Sequence, residues 1–189
     1  MVRAGLTVER IVLAAAELAD AAGFDNVTIS ALARHFGVKD ASMYSHVRNL
    51  GDLRQRVALF AAGEMGDLIG AALAGRAGKD ALVAFANAYR AYAVAHPGRY
   101  AATQIHLDPA VIAESEAFHR HVHYTHSTLR AYGLTEPDIT DAGRLLRSTF
   151  HGYANLEATG GFSHSRPVQT SWERAVDALH FLLSNWKNT

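Results

Sequence analysis

Apolar residues recur along the chain at three- and four-residue intervals, the spacing that gathers them on one side of a helix. From Val8 to Ala22 the stripe is Ile11, Val12, Ala15, Leu18, Ala19 and Ala22, with Glu9, Glu17 and Asp20 outside it. Thr7 is placed to cap this helix and Gly23 to end it, so that Phe24 and Val27 plug the corner that follows. A second helix opens after Thr28 and carries Ile29, Leu32, Ala33 and Phe36 on its stripe. Gly37 can take a left-handed conformation without a Cβ clash, which ends the helix and turns Val38 inward. A third, brief helix from Asp40 to His46 offers Met43 and Val47 to the core. It leaves Lys39, Asp40, Ser42, Ser45, His46 and Arg48 on the wet side around Tyr44.

The pattern continues in longer periods. A hinge at Arg48 to Asp52 leads into a helix to Ala74 that is rich in alanine and glycine (Gly63, Gly66, Gly70), close-packing but weak in propensity. Gly75 and Gly78 break it. The next helix starts at Asp80 and is stopped by Pro97 and Gly98; Asp108 and Pro109 then open a helix to Tyr132, closed by Gly133. Glu136, Pro137 and Asp138 open another helix to Ala158, closed by Gly160 and Gly161. A polar loop from Ser163 to Gln169 precedes a last helix from Thr170 to Trp186.

Composition narrows the classes. With 189 residues, 49% of them hydrophobic, the chain can bury a sizeable core. Its 18 basic and 18 acidic side chains balance, and residues 1–60 hold seven Arg and Lys against six Asp and Glu, an excess of one positive charge. Phosphate neutralisation supplies most non-specific DNA affinity, so a single such head binds random duplex weakly and two side by side double the contacts. The absence of cysteine excludes disulfides and thiolate metal sites. No secretory run and no uncharged stretch of bilayer length stands in the sequence, so a soluble, cytoplasmic protein is expected.

A polar, partly basic and aromatic face on a helix stood up by a glycine turn suits the major groove, where base edges are read. The run Gly37-Val38, Ala41-Ser42-Met43-Tyr44, His46-Val47, Asn49 and Asp52-Leu53, behind a helix ending in Ala22-Gly23-Phe24, resembles the DNA-binding half of the TetR family of bacterial transcriptional regulators. Where that family usually carries a lysine near the DNA backbone, Leu50 stands here, which leaves Arg48 as the nearest phosphate contact. Further along, His151-Gly152 and Leu156-Glu157-Ala158 before Gly160-Gly161-Phe162 resemble the C-terminal domain of a TetR subgroup named for a Trp-His-Gly motif, with Phe150 in place of the tryptophan.

The resemblance implies an all-α fold of about nine helices: a three-helix DNA-binding domain over residues 1–50 and an effector-binding and dimerisation domain over 51–189. It implies a homodimer, a double-stranded DNA operator and a small-molecule effector as partners, no cofactor and no enzymatic activity. It carries Thr28, Ser30, Asp40, Ser42, Tyr44 and His46 over as DNA contacts, to which charge adds Lys39 and Arg48. Arg3 could reach a phosphate or the minor groove. Aromatic side chains with polar tips suggest a ligand pocket from Tyr89, Tyr92, His96 and Tyr100, joined by Phe118, Val122 and Phe150. The apolar strip Trp172, Val176, Leu179 and Leu183, with Leu145, Thr149, Gly152, Tyr153 and Leu156 on the preceding helix, is expected to form the dimer interface.

One alternative belongs to a different class. The run FHRHVHYTH places His119, His123 and His126 on one helical face, where two could chelate a transition metal in a metal-binding protein or enzyme. The spacing lacks the glutamate of HExxH, and the chain has no serine elbow or phosphate loop.

Overall fold

A computed structural model describes residues 6–188. Ten α-helices follow one another among them: α1 (Val8–Ala22), α2 (Ile29–Phe36), α3 (Asp40–Met43), α4 (Leu50–Leu73), α5 (Gly78–Ala95), α6 (Pro97–Ala102), α7 (Pro109–Glu114), α8 (Glu116–Arg130), α9 (Asp138–Ala158) and α10 (Val168–Ser184). The chain divides into two compact units, Met1–Glu64 with His96–Phe118, and Met65–Ala95 with His119–Thr189. The first therefore takes in a segment far along the sequence from its N-terminal helices.

In the first unit Ile11, Ala15, Val27, Leu32, Met43, Val47, Leu53 and Val57 are buried together, and Ala102 and Leu107 join the same core. The caps are as the residue types require. Thr7 and Thr28 accept the amide protons of Arg10 and Ala31 through their hydroxyls, and Gly37 closes α2 at φ +66°. Asn49 Oδ1 accepts the Asp52 amide at 2.9 Å while Asp52 Oδ2 accepts the Arg48 amide at 2.9 Å, a reciprocal cap that starts α4.

Pro97 does stop one helix, but it also begins another, as a proline at the first helical position can. The start of α6 is held from α1: Asp20 Oδ1 accepts the Arg99 amide at 2.8 Å, and Oδ2 pairs with Arg99 Nε at 2.9 Å and with His96 Nδ1 at 3.1 Å. Arg99 also reaches Glu64 at 3.0 Å. Gly98 is buried against the α1 backbone, leaving no room for a side chain.

The single helix expected from Asp108 to Tyr132 is two. Ser115 adopts an extended conformation and its hydroxyl accepts the Phe118 amide, so α7 ends and α8 begins there. Val38, expected inside, is exposed beyond the turn that Gly37 makes.

The second unit is built on rings. Phe150 of α9 meets Phe85 and Tyr89 of α5 at centroid separations of 5.9 and 5.5 Å, and Trp172 of α10 at 5.6 Å. Tyr153 meets Trp172 at 5.2 Å, and the indole N–H donates to Asn87 Oδ1 at 2.7 Å. Arg90 binds Glu157 through two nitrogens, at 2.7 and 2.8 Å, donates to Gln169 at 2.6 Å and lies over the Trp172 ring. Hydrogen bonding from Arg90 holds the Glu157 carboxyl below its ordinary value of 4.5. A carboxylate whose folded-state pKa is depressed adds stability above its unfolded pKa and loses it as pH falls through the folded value. Acidification from about pH 5 to about pH 3 should therefore lower the melting temperature of the native chain more steeply than that of Glu157→Gln. Parallel slopes in circular dichroism melts would show that the pair contributes nothing.

Candidate nucleic-acid interface

The reading face begins with what the core leaves over. Met43 and Val47 are buried, and between and around them Lys39, Asp40, Ala41, Ser42, Tyr44, Ser45 and Arg48 are exposed, with His46 half-buried. Tyr44 is 55% exposed, a large amphipathic ring with nothing in the fold to hide it. Regular helix ends at Met43, earlier than the expected His46, and the Ser45 hydroxyl donates to the Ser42 carbonyl at 2.7 Å. The turn that follows still bonds back to Met43, with the His46 and Val47 amides donating to its carbonyl at 2.9 and 3.1 Å.

The residues named from the sequence have different employments. Thr28 spends a lone pair on the α2 cap, and Ser30 donates its hydroxyl proton to Asp40 Oδ2 across the turn from α2 to α3. Arg48 faces Asp52 at 3.6 Å while its side chain stays 84% exposed. An exposed pair of this kind contributes only about 0–1 kcal/mol, so the guanidinium is available to a phosphate. Burial would push the Asp52 carboxyl up, but the Arg48 amide and the Arg56 guanidinium outweigh it and hold the group below its usual range. Arg3 lies outside the described residues.

Arg54 and Arg56 are engaged within the fold: Arg54 donates to the Asp25 carbonyl at 3.0 Å and lies over Phe24, and Arg56, its side chain 40% exposed, pairs with Asp52 at 3.1 Å. The i, i+4 spacing of Asp52 and Arg56 was the available signal for the one, while the partner of Arg54 is a backbone carbonyl 29 residues away and left none.

The other expected sites fare differently. Tyr89, Tyr92 and Phe150 belong to the second unit and are buried in it, whereas His96, Tyr100 and Phe118 belong to the first. Tyr100 is buried there, Phe118 packs partly buried on that unit's core, and Val122 is exposed. The seven residues therefore do not share one unit. For the interface strip the structure is a correction: Trp172, Val176, Leu179 and Leu183 are buried within their own chain, because α10 turns that side onto α5 and α9. Leu145, Thr149, Gly152 and Tyr153 are half-buried, while Leu156 and Phe181 are exposed, the latter at 71%. Among the described residues no three His, Asp or Glu converge to hold a metal ion, so the histidine run on α8 does not assemble a three-ligand site.

A glycine-turned pair of short helices, braced by α1 and presenting an exposed polar and aromatic face, defines a helix-turn-helix DNA-binding module in an all-helical protein. Residues 11–56 match the profile of bacterial regulatory proteins of the tetR family, and residues 82–179 match that of the tetracyclin repressor-like C-terminal domain. An uncharacterized HTH-type transcriptional regulator of Mycobacterium tuberculosis is 38% identical over 161 residues, 83% of this chain and 72% of its own length. YobS, an uncharacterized HTH-type transcriptional regulator of Bacillus subtilis, is 30% identical over 98% of this chain and 97% of its own. Among solved structures, a Rhodococcus protein of unknown function superposes with a TM-score of 0.77 at 24% identity, covering 97% of this chain and 99% of that one. Mycobacterium smegmatis BioQ gives 0.73 at 20% identity, covering 95% and 98%. The chain belongs to the TetR family of transcriptional regulators, and it is a DNA-binding regulator. None of its helices among the described residues is long and apolar enough to cross a membrane.

Proposed function

We propose that the protein is a cytoplasmic homodimeric repressor that reads an inverted-repeat operator and is released from it by a small molecule. The observation that carries this reading is a well-formed reading face within residues 1–60, a stretch with an excess of only one positive charge. One such head neutralises too few phosphates to hold DNA firmly, and two, fixed by self-association, engage twice as many. BioQ, which shares the fold, has been crystallised with its double-stranded DNA operator. Phe181 and Leu156, exposed on α10 and α9, supply apolar surface for a second copy to cover. The segment His96–Phe118 belongs to the reading unit although it is flanked in sequence by parts of the other unit. A small molecule that repositions those flanks acts on the head through the covalent chain. By linkage, an effector preferring the free form weakens operator binding by the factor that operator weakens effector binding.

Selection from random duplexes, together with light scattering, tests this. The expected result is an inverted repeat whose half-sites lie about 10 base pairs or a multiple apart, and a mass twice the chain's 20.4 kDa that drops to 20.4 kDa in Phe181→Asp. Retention of random duplexes without enrichment, or a native mass of 20.4 kDa at micromolar concentration, overturns it.

A further inference from the structure

Asp40 is an odd residue to find on a DNA-facing surface. Phosphate repels a carboxylate, so Asp40 adds nothing to the non-specific attraction that Lys39 and Arg48 provide. It begins α3, exposed, and Ser30 lies exposed on α2 across the Gly37 turn, its hydroxyl donating to Asp40 Oδ2.

That bond decides what the pair can offer a partner. A carboxylate only accepts, whereas a hydroxyl both donates and accepts. With the one Ser30 proton committed to Asp40, the two side chains present Asp40 Oδ1 and the remaining lone pairs: acceptors throughout and no donor. In the major groove guanine shows two acceptors, and thymine an acceptor and a methyl group. Donors come from the cytosine N4 and adenine N6 amines, and adenine sets its N7 acceptor beside the amine, where it opposes a second acceptor. The adenine amine stands between two acceptors, its own N7 and thymine O4. The cytosine amine has the paired guanine O6 on one side only and a C5–H edge on the other, and it accepts a carboxylate with less opposition. Nor is the bond needed to brace the two helices, whose registry is set by buried Leu32, Ala33, Met43 and Val47 and by the left-handed Gly37.

We propose that Ser30 and Asp40 form one specificity element, with the serine locking the carboxylate, that selects cytosine at one position of each operator half-site. The assignment rests on the DNA-reading function proposed above.

Selection from random duplexes with the native chain, Asp40→Asn and Ser30→Ala, each also melted without DNA, tests it. The native chain should enrich one cytosine per half-site. Asp40→Asn, whose amide both donates and accepts, should move that position toward adenine and cut the preference for cytosine roughly five- to tenfold, leaving the other positions in place. Ser30→Ala should retain cytosine there with a weakened preference, because the carboxylate remains but is no longer held. An unchanged enriched sequence in Asp40→Asn, accompanied by a lower melting temperature, makes the pair a brace and overturns the proposal while leaving the regulator reading intact. Absence of any enriched sequence with the native chain overturns both.

Discussion

Gly98→Ala should lower the melting temperature by roughly 10 °C, at about 2–4 °C per kcal/mol for a chain of this size. The sign makes the result informative. In a helix interior alanine is favoured over glycine by about 1 kcal/mol, so the same exchange elsewhere would stabilise. At position 98 the added Cβ would fall within the Ala19 carbonyl and 2.5 Å from the Asp20 nitrogen, both of them α1 backbone. Backbone does not step aside as a flexible side-chain end does. To admit the methyl group, α6 must lift from α1, stretching the hydrogen bond from the Arg99 amide to Asp20 and the ion pair between Asp20 and the Arg99 guanidinium. Overpacking of this kind costs about 1–3 kcal/mol and occasionally more, and the ion pairs lost with it place the variant at the upper end. Melting followed by circular dichroism measures the outcome. An unchanged or raised melting temperature would mean that α6 does not rest on α1.

The reason the sequence alone did not disclose this docking is instructive beside what it did disclose. Capping and stripe signals act within a few residues, so Thr7, Thr28, Gly37 and the period of Ile29, Leu32 and Ala33 placed α1 and α2 with their observed bounds. Gly98 carries no local signal of its own use: a glycine after a proline reads as a stop, and the object it makes room for is 79 positions upstream of its neighbour Arg99. The exposed face of α3 followed from which neighbours had to be buried. What those exposed groups do to one another did not, and the bond that ties Ser30 to Asp40 is visible only once the turn has folded them together. Ser115 is the opposite case. It is a good capping residue in plain view, but the apolar spacing on both sides of it predicts one continuous helix.

Trp172 separates two meanings of an apolar stripe. A helix that shows Trp172, Val176, Leu179 and Leu183 along one side must bury that side, but periodicity does not say whether the covering surface is its own chain or a second copy. Trp172 is 1% exposed within the single chain and stands among Phe150, Tyr153 and the Arg90 guanidinium. Trp172→Ala should therefore destabilise the protein by about 3–5 kcal/mol, the range for emptying a large aromatic site in a core. The lost hydrogen bond adds little, since Asn87 is exposed and water replaces the indole. Phe181 stands at 71% exposure on the same helix and makes the contrasting prediction. Its replacement by aspartate should leave the melting temperature of a dilute sample nearly unchanged, surface substitutions being worth about ±0.5 kcal/mol, while abolishing self-association. Chemical denaturation of Trp172→Ala across a hundredfold range of protein concentration distinguishes the roles. A loss independent of concentration places the indole in the core of its own subunit; a loss that vanishes on dilution would return it to the interface between copies.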